Sequence, residues 1–165
     1  MLVLGRIVID LIGYVVASLA ASLTINLLLL PQIGLFAGQG EEFASAVMLV
    51  TVPLAAAVIS AFAFVPALLA AFIAEAWSLT GWLYHAIAGG LIGLACAAGY
   101  QSAAIEDFLD AGADLAIFPP GASLESSGFI GIAIAGGIVA GFAYWLIAGR
   151  SSGSWRSGGP TSPAP

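Results

Sequence analysis

The chain has 165 residues, of which 61% are hydrophobic and only 7% are charged, and its formal net charge is −6. Soluble domains have roughly a quarter of their residues charged, so this composition excludes an ordinary water-soluble protein and predicts an integral membrane protein. Three arginines and no lysine provide no basic patch for a nucleic-acid groove or a polybasic lipid-binding segment.

The first predicted span covers residues 7–30, which follow Arg6 and end before Pro31. A basic start, an apolar centre and small residues at 17–22 also resemble a cleaved signal peptide. We favour an uncleaved span, because Asp10 interrupts the start of the apolar run and the run is long enough to cross a bilayer. Asn26, near its far end, is a candidate for a bond to another helix.

The second predicted span, at about residues 47–73, lies within an apolar run from Phe43 to Ala74. A loop at residues 31–42, rich in glycine and carboxylates, precedes the run. Pro53 and Pro66 fall inside it, and each removes a backbone donor. We therefore expect this helix to be kinked, tilted or preceded by an interfacial segment.

The third and fourth spans, at about residues 82–100 and 129–148, repeat small residues every four positions. Such strips let two membrane helices approach closely. Together with a similar strip on the first span, they predict an all-α polytopic membrane protein with a four-transmembrane-helix bundle. The candidate packing residues are Gly89, Gly93, Ala97, Ala133, Gly137 and Gly141.

The third loop, residues 101–127, is the longest polar segment. Ile105 and Phe108 fall on one side of a helical projection, whereas Asp107 and Asp110 fall on the other, which predicts a short interfacial helix. The transmembrane domain then comprises residues 1–149. The tail, residues 150–165, is rich in Ser, Gly and Pro, and we expect it to be disordered.

The placement of the three arginines predicts the topology. Arg6 precedes the first span, and Arg150 and Arg156 follow the fourth. Basic residues favour the cytoplasmic side, so we expect both termini in the cytoplasm and a multi-pass protein of the bacterial inner membrane.

This topology brings several ionisable residues to the same end of the bundle. They form a predicted charge cluster of Arg6, Asp10, Glu75, His85 and Arg150. One interpretation is a proton-exchanging or ligand-binding patch, since histidine titrates near neutral pH. We favour the other, a charge network that anchors helix ends, because pump and transporter sites require ionisable groups near the middle of the membrane.

Sequence motifs give no support for catalysis. The chain contains no phosphate-binding loop, no HExxH, no CxxC and no GxSxG, and Cys96 and His85 are its only cysteine and histidine. We therefore expect no enzyme activity, no cofactor and no metal.

Two stretches, AEAWSLTGWLYHAIAGG at residues 74–90 and GFAYWLIAGR at residues 141–150, carry a family resemblance. The chain resembles small four-span inner-membrane proteins of bacteria. The resemblance implies the fold and the location, and it transfers no functional residue, since that group has no assigned activity.

The sequence favours a non-enzymatic accessory or structural protein of the membrane. It would act in the lipid bilayer through helix packing with a membrane-protein partner or with itself, and it would not bind nucleic acid. The alternative is a small transporter or channel whose pathway forms between protomers, using Asn26 and the second span. A membrane-bound enzyme would need Glu75 or His85.

Overall fold

The computed structural model describes residues 3–32, 38, 40–100 and 126–152. Within these ranges four α-helices, each long and apolar enough to cross a membrane, confirm the predicted all-helical, multi-pass class. Residues 101–125, which include the predicted interfacial helix, lie outside the described residues, and so does the tail from residue 153. The elements are α1 (Val3–Gln32), α2 (Glu41–Trp77), α3 (Trp82–Tyr100), α4 (Ser126–Ile147) and a 3-10 turn at Gly149–Ser151.

The ends of α2 follow from local chemistry. Glu41 and Glu42 occupy its first turn, where negative charge interacts favourably with the free N–H groups of a helix N-terminus. At the other end Ser78 adopts the left-handed conformation, with φ of 53°, and Leu79 donates its N–H to the carbonyl of Ala74 at 2.8 Å. This left-handed cap ends the helix and starts the turn to α3.

The helix α2 continues through both Pro53 and Pro66. Neighbouring helices donate hydroxyl hydrogen bonds to its backbone: Ser22 of α1 lies 2.7 Å from the carbonyl of Val52, and Tyr84 of α3 lies 2.8 Å from that of Ala70. Tyr14 of α1 donates in the same way to Ser60. These bonds hold α2 at three levels along its length, in a medium where no water competes for the carbonyls.

The helices pack in a defined order. The helix α4 lies between α1 and α3 and has the most extensive contacts of the four, whereas α2 packs against α1 and more narrowly against α3. On the α1 side, Gly13 admits Tyr144 and Ala148, since a Cβ added at Gly13 would lie 3.1 Å from the Ala148 side chain. Deeper along the same contact, Gly136 admits Ile25.

The contact between α3 and α4 is one of backbone against backbone. A Cβ added at Gly89 would overlap the carbonyl oxygen of Gly137, and one added at Gly137 would overlap that of Gly89. The same overlap recurs one turn to either side, between Gly93 and Ala133 and between Gly141 and His85. The two helices therefore run antiparallel at a separation that excludes larger side chains, as small-residue strips permit.

Candidate functional site

Polar side chains from α1, α2, α4 and the turn that follows α4 meet at one end of the bundle, where α1 begins and α2 and α4 end. Hydrogen bonds and ion pairs connect them into a single set, which we name the Arg6 network. Its members are Arg6, Asp10, Glu75, Tyr144 and Ser152.

Arg6 is the centre of this network. Its Nε lies 2.9 Å from Oε1 of Glu75, and its terminal NH2 group also contacts that oxygen. The NH2 group lies 3.5 Å from Oδ1 of Asp10 and 3.4 Å from the Oγ of Ser152. The side chains of Arg6, Glu75 and Asp10 are 14%, 23% and 30% exposed, so these charge-assisted bonds are partly shielded from solvent.

Tyr144 connects the network to α4. Its hydroxyl donates to Oδ1 of Asp10 at 3.2 Å. Asp10 thereby accepts from a phenol while it pairs with the guanidinium of Arg6. The network thus links the start of α1 to the ends of both α2 and α4, and two carboxylates share one guanidinium.

His85 lies beside the network and is buried, with 5% of its surface exposed. Its ring stacks on that of Tyr144, with centroids 5.8 Å apart, and meets Tyr84 edge to face. Nδ1 is 3.0 Å from the carbonyl oxygen of Gly81, which can only accept, so Nδ1 donates the proton. Nε2 is then an acceptor, and it has no hydrogen-bond partner within the described ranges.

The turn after α4 covers the imidazole of His85. A Cβ added at Gly149 would lie 2.7 Å from Nε2 and 2.9 Å from Cε1 of that ring. Gly149 is therefore required for this turn to lie against His85. The same turn places Ser152 beside Arg6.

Replacing Gly149 with alanine is expected to push the turn away from His85 and to lower the free energy of unfolding by about 1–3 kcal/mol, the usual cost of overpacking. Thermal unfolding in detergent measures this loss of stability. The same replacement in a His85→Ala background should cost much less, because the ring that the methyl group meets is gone. Equal costs in the two backgrounds would contradict this account.

Arg150 lies apart from the Arg6 network. Its guanidinium carbon is 4.6 Å from the centre of the Trp145 ring, and the residue is exposed. Among the described residues it makes no ion pair. The predicted charge cluster is therefore divided: Arg6, Asp10 and Glu75 are joined directly, His85 borders them through Tyr144, and Arg150 stacks on an aromatic ring.

Tyr144 and Ser152 are the network members that sequence reasoning missed. The sequence does carry a signal for Tyr144. It lies less than two helical turns before Arg150, and Asp10 lies one turn after Arg6, so both residues are about equally deep in their helices. Ser152 had none, since it belongs to the segment that we predicted to be disordered. In the structure it is buried.

Close approaches between α3 and α4 involve five of the six predicted packing residues: Gly89, Gly93, Ala133, Gly137 and Gly141. Gly89, Gly93, Gly137 and Gly141 each approach backbone atoms of the other helix, as described above. Ala133 and Ala97 are buried, with 8% and 1% of their surfaces exposed.

Asn26 is engaged within its own helix. Its amide nitrogen lies 2.9 Å from the carbonyl of Ser22 and 3.3 Å from the hydroxyl of the same residue. Since Ser22 donates to Val52, Asn26 reinforces the contact between α1 and α2.

The chemistry available at this site is that of ion pairing and hydrogen bonding. Within the described ranges no three His, Cys, Asp or Glu side chains are grouped so that they could hold a metal ion. Comparisons add no assignment, because the chain matches no protein-family model, no curated protein and no solved structure.

Proposed function

We propose that this is a non-enzymatic membrane protein that acts through helix packing, with α2 as the helix that contacts a partner membrane protein or a second copy of the chain. The observation that carries the proposal is the exposure of α2. This helix lies wholly within the described ranges, yet its buried residues are only the small Ala56, Ala63 and Ala74. Large side chains such as Leu49 and Phe72 are 79% and 72% exposed.

The length of α2 supports the same proposal. At about 1.5 Å per residue its 37 residues extend for roughly 55 Å, whereas the hydrocarbon core of a bilayer is about 30 Å thick. Its sequence stays apolar from Phe43 to Ala74. Lipid alone covers such a helix only if the helix tilts or kinks, or if the bilayer thickens around it, whereas a partner protein can cover the part that extends beyond the hydrocarbon core.

The Arg6 network fits a structural role. Its charged members pair with one another and tie α1, α2 and α4 at one end. We propose that it fixes the register of these helices while α2 is presented to a neighbour. We also propose the bacterial inner membrane, with the arginine-bearing end in the cytoplasm, because Arg6 and Arg150 lie at that end.

Cysteine crosslinking tests the role of α2. In a Cys96→Ala background, Leu69→Cys places a thiol on α2 and Leu91→Cys places one on α3, and the two leucines are similarly exposed, at 60% and 61%. In native membranes we expect the α2 cysteine to crosslink, as a disulfide dimer if the neighbour is a second copy, or through a bismaleimide to a second protein. The α3 cysteine should remain monomeric. Monomers at both positions, or equal crosslinking at both, would contradict the proposal.

A further inference from the structure

Arg150 is an exposed cation that the Arg6 network does not use. Of the two arginines in the described ranges, Arg6 is paired with Glu75 and Asp10, whereas Arg150 has no carboxylate partner there. Its guanidinium lies over the Trp145 ring at 4.6 Å. Stacking of this kind occupies the flat face of the guanidinium and leaves the N–H donors at its edge free for an anion.

The aromatic platform under Arg150 is fixed in place. Nε1 of Trp145 donates to the carbonyl oxygen of Thr80 at 2.8 Å, which anchors the indole to the turn between α2 and α3. The Trp145 ring also packs on Phe142, with centroids 5.4 Å apart. The guanidinium of Arg150 therefore stacks on an indole ring whose position is fixed by both Thr80 and Phe142.

An exposed apolar strip leads from this platform along α4. Phe142 and Ile138 lie on the same side of the helix as Trp145, one turn apart, and are 42% and 43% exposed. The strip runs away from the end of α4, toward the middle of the span. A cation at the end of a span matches the phosphate of a phospholipid headgroup, and the adjoining apolar strip matches its acyl chain.

We propose that Arg150, seated on Trp145, binds the phosphate of an anionic phospholipid whose acyl chain lies along Phe142 and Ile138. Charge complementarity selects the anionic class, since the ammonium of a zwitterionic headgroup partly neutralises its own phosphate and Arg150 brings no paired carboxylate to bind that ammonium. The apolar strip selects a lipid over free phosphate, because free phosphate gains nothing from Phe142 and Ile138.

Native mass spectrometry of the purified full-length protein tests the proposal, with phosphatidylglycerol and phosphatidylcholine of the same acyl chains as probes. We expect the unaltered protein to retain phosphatidylglycerol preferentially and Arg150→Ala to weaken that retention about fivefold. Arg150→Lys should weaken it less, because it keeps the charge and loses the planar stacking. Trp145→Leu should reproduce most of the effect of Arg150→Ala.

The matched control is Arg156→Ala, which removes an identical charge six residues further along the chain. It should retain phosphatidylglycerol as the unaltered protein does. Equal losses in the two alanine variants would mean general attraction to the tail and would overturn the proposal. Equal retention of the two lipids, or displacement of phosphatidylglycerol by excess inorganic phosphate, would overturn it as well. Unchanged thermal unfolding of Arg150→Ala in detergent shows that the variant is folded.

Discussion

Replacing Gly137 with leucine is expected to separate α3 from α4 and to lower the free energy of unfolding by about 3 kcal/mol or more. A side chain at this position meets the carbonyl oxygen of Gly89, and the Cα of Gly93 lies 3.2 Å from the added Cβ. Backbone atoms cannot rotate away as a flexible side chain does, so the helices themselves must move. Unfolding in mixed detergent and denaturant, followed by circular dichroism, measures the loss.

Gly131→Leu provides the matched control for Gly137→Leu. It introduces the same side chain on the same helix, but a Cβ at Gly131 meets nothing within 4 Å. This variant should be as stable as the unaltered protein or slightly more stable, since leucine favours the helix over glycine. If both variants lost the same stability, the contact between α3 and α4 would not be the reason.

Replacing Arg6 with glutamine is the second change with a large expected effect. It leaves the carboxylates of Glu75 and Asp10 close together without their shared cation, and we expect a loss of about 2–3 kcal/mol. Glu75→Gln should cost about 1–2 kcal/mol, since Arg6 keeps Asp10 as a partner. The same unfolding measurement applies.

The double variant distinguishes a network from independent charges. Combining Arg6→Gln with Glu75→Gln should cost less than the sum of the two single changes, because both remove the same interaction. Glu41→Gln is the matched control: it makes the Glu75 substitution at an exposed position in the first turn of the same helix, and it should cost at most about 1 kcal/mol, the contribution of a carboxylate at a helix N-terminus. Strict additivity of the two network variants would show that Arg6 and Glu75 act separately.

The presence of four membrane-length helices followed from the apolar runs, because a chain that crosses hydrocarbon must satisfy its backbone internally over about 20 residues. The ends of the helices were predicted less accurately from the apolar runs. The helix α2 begins at Glu41 and ends at Trp77, beyond the predicted span of residues 47–73. Hydropathy marks the part of a helix that lies in lipid, and caps such as Ser78 decide where the helix itself stops.

The charged part of the Arg6 network could be anticipated, since charge placement brought Arg6, Asp10 and Glu75 to one end. Ser152 could not be anticipated, and for Tyr144 the sequence indicates the level along α4 but not the bond. The bond from Tyr144 to Asp10 depends on the register of α4 against α1, which Gly13 and Gly136 set by admitting side chains of the other helix. Neither helix alone encodes that register. The position of Arg150 over Trp145 likewise depends on the turn that follows α4.

The position of α4 between α1 and α3 constrains how the protein is made. Spans leave the ribosome in chain order, so α1, α2 and α3 emerge before the helix that α1 and α3 both contact. Until α4 inserts, Gly13 of α1 and Gly89 of α3 contact lipid or the insertion machinery, and Asp10 can pair with Arg6 but not yet with Tyr144. The pairing of Arg6 with Glu75 joins only the first two spans, so it can hold that hairpin together during the interval. Assembly is thus completed by the last span to be synthesised.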